Sequence, residues 1–157
     1  HQRSIGGKST LKDLEKWVNT LIETNDWGVG MTHGLTYGYD AFRNPQRLWD
    51  HLDQVKAREN EIWVGTFREV ASYIKEREET KLEVVNKKNT LLIAPELKLD
   101  QELFVEPLTM VITGKEIKKV TVKQGKRRLP VQITDDKVLF DFDPYGGMIK
   151  VTLKIQK

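Results

Sequence analysis

The sequence predicts an α/β fold made of two βα units in residues 1–80, followed by a small antiparallel β-sandwich in residues 81–157. Three observations support this fold class. Apolar residues recur at helical spacing in three stretches of the first half, two short apolar runs separate those stretches, and the spacing changes to a period of two near residues 80–88. The order helix, strand, helix, strand, helix is typical of parallel strands joined by right-handed crossovers.

Each predicted helix has a capping signal at its start and an apolar face. The capping residues are, in chain order, Ser9 or Thr10, then Asn44 with Pro45 at the first helical position, and finally Thr66 with Glu69 as a capping box. The apolar faces comprise Leu11, Leu14, Trp17, Val18, Leu21 and Ile22 in the first helix, Leu48, Trp49, Leu52 and Val55 in the second, and Phe67, Val70, Ala71, Tyr73 and Ile74 in the third.

Two continuous apolar runs, Trp27–Met31 and Ile62–Gly65, predict the parallel strands. A run without alternating polar residues is typical of a strand that is covered on both faces. Gly28 and Gly30 are two positions apart and therefore lie on the same side of the first strand. Paired glycines of this kind predict that another group approaches that side closely.

Short apolar runs and turn signals alternate through the second half. The predicted strands are Leu82–Val84, Leu91–Ile93, Met110–Thr113, Val120–Val122, Val131–Ile133, Val138–Phe142 and Ile149–Ile155. The predicted turns are Thr113–Lys115, Gln124–Lys126, Asp135–Asp136 and Tyr145–Gly147. Seven short strands in this length predict a small antiparallel sandwich.

Composition excludes several classes of site and partner. The 157 residues include no cysteine, which excludes disulfides, thiol nucleophiles and thiolate zinc sites. The apolar runs are too short for a membrane-spanning segment. Charges of both signs are interspersed to a net +3, and the basic run Lys123–Arg128 has no interleaved aromatic residues, so we expect no nucleic-acid partner. Because the chain starts at His1 and not at methionine, we expect a processed or truncated product.

Histidine is the residue type that best indicates chemistry in this chain. His1, His33 and His51 form no His-x-x-x-His pair, so no residue is assigned as a metal ligand. No role is assigned to His1, and His51 is expected to be a partly exposed residue of the second helix. His33 follows a predicted parallel strand, and α/β folds place active sites at the carboxyl ends of such strands. His33 is therefore the candidate catalytic residue, and a histidine satisfied by a backbone carbonyl is the alternative.

Aromatic side chains near this strand end are candidates for binding a sugar. Tyr37, Tyr39 and Trp63 could line a cleft there, although aromatic residues in loops and strands also pack in cores and lids. Four aspartates of the second half could suggest a calcium site, but they lack the spacing of a calcium-binding loop. They are Asp135, Asp136, Asp141 and Asp143.

Residues Ser9–Glu78 resemble the last part of the catalytic domain of the polysaccharide deacetylase family. One matching segment is NDWGVGMTHGL, where the family has an apolar strand that ends in Leu/Met-x-His. The other is EIWVGTFREVASYIKERE, which is similar to the strand and helix that close the family's barrel. In the second half, FVEPLTMVI and FDFDP with YGG resemble the small β domain that follows the barrel in some exported members.

The resemblance implies the end of a deformed β/α barrel and an enzyme that removes N- or O-acetyl groups from a glycan. In the family a divalent metal such as zinc, held by Asp and two His, activates water, and an adjacent Asp acts as base. The motif histidine protonates the departing amine or alkoxide, and this role alone transfers to the present chain, where it falls on His33. An acetylated glycan is the expected partner, and the periplasm or cell exterior is the expected location.

The family's early Asp-Asp motif, its His-x-x-x-His metal motif and most barrel strands have no counterpart in this sequence. We therefore expect the C-terminal fragment of a larger deacetylase, which by itself binds no catalytic metal and is inactive. One alternative is a non-catalytic carbohydrate-binding module in which the β tail binds the sugar. Another is a structural protein that forms homo-oligomers through exposed strand edges.

Overall fold

The computed structural model describes residues 2–114, 117–134 and 136–155. Over these ranges the protein is a mixed α/β fold with three helices and several antiparallel sheets, and it forms no barrel. The chain divides into two compact units, His1–Gly65 and Thr66–Lys157. His1 and the turn residues Lys115 and Asp135 lie outside the described residues.

The first unit contains two strands and two helices, and its two strands are parallel. In chain order the elements are β1 (Gln2–Ser4), α1 (Leu11–Thr24), β2 (Val29–Met31) and α2 (Gln46–Lys56). The parallel pair is β1 with β2, in the register Arg3 opposite Gly30. The first βα unit therefore begins at β1, a strand that the sequence pattern did not reveal.

The predicted strand Ile62–Gly65 is wrong. This segment is irregular, and the side chains of Trp63 and Val64 are 54% and 70% exposed. A strand exists only where a neighbouring backbone pairs with it, and a short apolar run does not specify that neighbour.

The first predicted strand, Trp27–Met31, overlaps β2, but its surroundings differ from those expected. β2 covers only three residues, and Gly30 and Met31 are exposed, so the expectation of cover on both faces is wrong. The close approach to its glycines is confirmed. A Cβ at Gly28 would overlap Leu21 on α1, and one at Gly30 would lie 3.2 Å from Cδ1 of Ile5.

The helix starts follow the capping chemistry of the sequence. On α1 the Thr10 hydroxyl accepts the N–H of Asp13, and the Asp13 carboxylate accepts the N–H of Thr10. At α2, Asn44 accepts the N–H of Gln46 at 3.0 Å, and Pro45 occupies the N-cap instead of the first helical position. Assigned helix ends commonly differ by one residue in this way.

His51 on α2 is buried, with 4% of its surface exposed, so the expectation of a partly exposed histidine is wrong. Its Nδ1 has no hydrogen-bond partner among the described residues. Burial lowers the pKa of His51, because the charged imidazolium would lose its hydration. The apolar residues Trp49 and Leu52 are instead each 45% exposed.

The second unit contains α3 (Phe67–Glu79) and the strands that follow it. The capping box of α3 is confirmed, because Thr66 and Glu69 exchange hydrogen bonds between side chain and backbone. The strands are β3 (Lys81–Lys87), β4 (Thr90–Glu96), β5 (Leu108–Thr113), β6 (Ile117–Gln124), β7 (Arg127–Leu129), β8 (Gln132–Ile133), β9 (Lys137–Phe142) and β10 (Ile149–Ile155). Every predicted strand of this half has a counterpart, and β7 is additional.

These strands form two antiparallel sheets, in the orders β3-β4-β10-β6-β7 and β5-β9-β8. Both sheets contribute side chains to one buried cluster, and Tyr73 of α3 packs against it. The buried members are Ile93, Leu108, Val120, Val122, Leu129, Val138, Phe140, Phe142, Ile149 and Val151. The compact unit therefore includes α3, whereas the change of spacing near residues 80–88 marks only where helix gives way to strand. The division into domains 1–80 and 81–157 stays a prediction.

Glu76 on α3 carries a carboxyl group that is completely buried within the second unit. Its Oε1 accepts the backbone N–H of Glu106 at 3.0 Å, whereas Oε2 has no partner among the described residues. Burial raises the pKa of Glu76, and the nearby charges of Glu106 and Asp143 raise it further, against the opposing effect of the hydrogen bond. The protonated acid is therefore favoured by its surroundings.

Candidate functional site

His33 lies at the carboxyl end of the parallel strands, two residues after Met31 of β2. The chain leaving β1 reaches the same place, because the N–H of Ile5 donates to the carbonyl of Met31 at 2.8 Å. The loop after each strand then leads to a helix, α1 or α2. This is the position from which α/β folds present functional side chains.

The His33 side chain is exposed and stands edge-on to Tyr39, with ring centroids 5.4 Å apart and an angle of 80° between the planes. Such a T-shaped contact restricts the orientation of the imidazole. Over the described ranges, no hydrogen bond or ion pair joins the imidazole to a carboxylate.

The loop that carries His33 and Tyr39 is anchored behind these residues. Ala41 and Phe42 are each only 1% exposed, and the N–H of Phe42 donates to the carbonyl of Gly34 at 3.3 Å. The buried pair fixes the far end of the loop, while the hydrogen bond closes it. The exposed part of the loop is thus held by β2 at one end and by the buried pair Ala41 and Phe42 at the other.

Glycines allow this loop and the loop after β1 to touch. The N–H of Gly7 donates to the carbonyl of Asp40 at 3.2 Å, and a Cβ on Gly6 would overlap that same carbonyl. Gly38 has φ +110, which other residues rarely adopt. The contact therefore depends on the absence of a side chain at Gly6 and on a reversal of the backbone at Gly38.

Arg47 on α2 completes the framework, and no sequence motif pointed to it. Its Nη1 donates to the carbonyls of Gly7 and Ser9 at 2.9 and 3.0 Å. The guanidinium thereby joins the start of α2 to the loop after β1. The Gly6-Gly7 pair between β1 and α1 was the available signal, since paired glycines before a helix often mark a close backbone approach.

The structure separates the predicted aromatic residues into two groups. Tyr39 contacts His33, and Tyr37 is on the same loop with 88% of its surface exposed. Trp63 lines another part of the first unit, an open groove of about 630 Å³ formed with Leu52, Val55 and neighbouring residues. No residue of the His33 loop lines that groove.

The described residues contain no group of three or more His, Cys, Asp and Glu side chains that could hold a metal ion. Asp141 and Asp143 are instead hydrogen-bonded locally. Asp141 accepts the Thr109 hydroxyl at 2.6 Å, and Asp143 accepts the N–H of Tyr145 at 2.8 Å. The residues present thus do not fit the divalent metal that the resemblance implies.

No helix within the described ranges is both long enough and apolar enough to span a membrane. In comparisons with known proteins, no family model matches the chain, and no curated protein gives a significant match.

Proposed function

We propose that this chain is the C-terminal part of an exported, metal-dependent polysaccharide deacetylase, with His33 as the general acid. In this proposal the first unit belongs to the end of a β/α barrel, and the strands of the second unit, which follow it in the sequence, form a small β-sandwich. The observation that supports the proposal is the exposed imidazole of His33 at the carboxyl end of two parallel strands. Its loop is anchored by the buried residues Ala41 and Phe42.

A general acid at this position would act when the acetyl group is released. As the bond between the acetyl carbon and the sugar nitrogen or oxygen breaks, its electron pair moves to the leaving atom. The protonated imidazole of His33 gives a proton to that atom and becomes neutral, so that a neutral amine or alcohol departs. Imidazole suits this task because it can both hold and release a proton.

The aromatic residues would contribute to positioning. Tyr39 orients the imidazole through its edge-on contact. Tyr37, on the same loop and largely exposed, offers a flat apolar face of the kind on which sugar rings stack. Trp63 would bind a more distant part of a polymeric glycan, since its groove does not include the His33 loop.

No catalytic step is assigned to a metal here, because the described residues do not supply a set of ligands for one. The proposal therefore requires that the metal-binding residues and the carboxylate that orients His33 come from other parts of the parent enzyme. The chain alone is expected to be inactive.

The test compares two substrates with different leaving groups in the parent enzyme that contains this sequence. We expect His33→Ala to lower kcat on an N-acetylglucosamine oligomer by about 10²–10⁴-fold, because an amine must be protonated to leave. Hydrolysis of 4-nitrophenyl acetate should fall only a few-fold, because nitrophenolate leaves without a proton. His51→Gln in the same unit is the matched control. Equal losses on both substrates, or none on either, would contradict the assignment.

An open cleft in the second unit supports the alternative, a carbohydrate-binding module. The cleft has a volume of about 580 Å³ and is lined by Thr109, Arg127 and Asp141 among other residues. These side chains offer hydrogen-bond donors and acceptors that match sugar hydroxyls. Two results together would favour this function over deacetylation: the unmodified parent protein does not turn the glycan over, and glycan binding persists in His33→Ala.

A further inference from the structure

β3 is one of the two outer strands of the larger sheet, and the edge that it turns away from β4 is unpaired among the described residues. Within the described ranges β3 pairs only with β4, through seven consecutive residue pairs without a bulge, and all seven of its residues are exposed. In an antiparallel sheet, alternate backbone N–H and C=O groups of an outer strand point away from the sheet. β3 therefore presents a straight row of backbone donors and acceptors to solvent.

Apolar side chains continue to this edge on both faces of the sheet. Leu82, Val84 and Val85 are 43%, 57% and 52% exposed. Val84 stands opposite Ile93, which belongs to the buried cluster, yet no residue of β3 is a member of that cluster. The face of the sheet that carries Ile93 thus continues onto β3, where its apolar side chains are no longer covered by the buried cluster.

The charges of β3 favour a second copy of the same strand in one antiparallel register. When the twofold axis passes through Val85, each Glu83 stands opposite Lys87 of the second copy, and Val84 stands opposite Asn86. With the axis at Val84, Lys81 would instead face Lys87, and like charges directly opposite are unfavourable. A register that pairs odd-numbered residues with even-numbered ones would join the apolar face of one sheet to the opposite face of the other. The pleat excludes this register, because residues directly opposite each other point to the same side of a sheet.

We propose that two copies of this chain associate through antiparallel pairing of β3 with β3, centred on Val85. The two five-stranded sheets then form one continuous sheet of ten strands. This is a self-complementary interface of the kind that closes a dimer. The inference does not depend on the deacetylase proposal, since it concerns a different unit and no catalytic residue.

A charge exchange tests the interface and its register together, measured by sedimentation equilibrium of the full chain. We expect a dimer whose dissociation constant rises about tenfold in Glu83→Lys and in Lys87→Glu, because each change makes two pairs repulsive. The double variant with both changes should restore the original value. Glu102→Lys, on an exposed loop of the same unit, makes the same charge change away from β3 and should have no effect.

A crosslink provides a second measurement that does not depend on charge. Because the chain has no cysteine, Val85→Cys introduces a single thiol. At the twofold axis the two thiols would be directly opposite, within the spacing that a disulfide requires, whereas those of Val84→Cys would be diagonal and about 7–8 Å apart. We expect oxidation to link the first variant and not the second.

Three results would overturn the proposal. The first is a monomer at every concentration up to millimolar, and the second is a dimer that ignores the charge exchange. The third is equal crosslinking of both cysteine variants. Circular dichroism spectra of each variant establish that β3 is still folded.

Discussion

Replacing Glu76 with glutamine tests how a buried acid affects the stability of the second unit. The amide has the same shape as the carboxyl group and keeps an oxygen that can accept the N–H of Glu106. It cannot ionise, so it removes only the effect of charge. Glu76→Ala is the comparison, because it also removes the acceptor of the part-buried N–H of Glu106.

The sign of the pH dependence follows from the raised pKa of Glu76. Between the unfolded and folded pKa values, the folded state holds a proton that the unfolded state has released. The free energy of unfolding is therefore highest below the unfolded pKa and falls as pH rises, by up to about 1.4 kcal/mol per pH unit. We expect Glu76→Gln to lack this decrease and to exceed the wild type in stability at neutral pH.

Glu76→Ala should be less stable than the wild type at acid pH. A buried donor without an acceptor costs about 1–3 kcal/mol, and the cavity adds to this. Glu76→Gln should stay within about 1 kcal/mol of the wild type under the same conditions, because its single hydrogen bond survives. The two variants thus separate the contribution of the hydrogen bond from that of the charge.

The assay is urea unfolding followed by circular dichroism at several pH values. Tryptophan fluorescence reports on the first unit in the same experiment, because Trp17, Trp27, Trp49 and Trp63 all lie there. A Glu76→Gln protein whose stability decreases with pH as steeply as the wild type would refute the reasoning.

Two further predictions concern other sites. His51 has a lowered pKa, so stability of the first unit should be complete above the ordinary value near 6.5 and decline as pH falls below it. His51→Gln should remove that decline in a tryptophan-monitored titration, and an unchanged acid response would contradict the assignment. Thr66→Ala should lower the free energy of unfolding of the second unit by about 1 kcal/mol through loss of the helix cap, whereas Thr66→Ser should retain it. Circular dichroism in urea measures both Thr66 variants, and equal stabilities would exclude a role for the cap.

The sequence revealed those elements whose signals are local. Thr10, Thr66 and Glu69 cap helices through neighbours three residues away, and the strands of the second unit follow their own alternation. Both signals arise within a few residues of the chain. They consequently do not depend on knowing which distant segment packs nearby.

The errors arose where the outcome depends on distant partners. Ile62–Gly65 is as apolar as a strand but forms none among the described residues, whereas the polar segment Gln2–Ser4 is a strand because β2 lies beside it. The burial of His51 likewise depends on what packs against α2. Arg47 could not be foreseen, because its acceptors on Gly7 and Ser9 are about forty residues earlier in the chain.

The anchoring of the His33 loop by Gly7 and Arg47 has a consequence for the order of folding. The first residues of this sequence leave the ribosome before β2, yet they cannot pair until β2 and the loop after it have been made. Parallel pairing needs the whole crossover helix to close first, which makes it slow compared with the formation of α1. The surroundings of His33 should therefore form late, after α1 is in place and once α2 supplies Arg47.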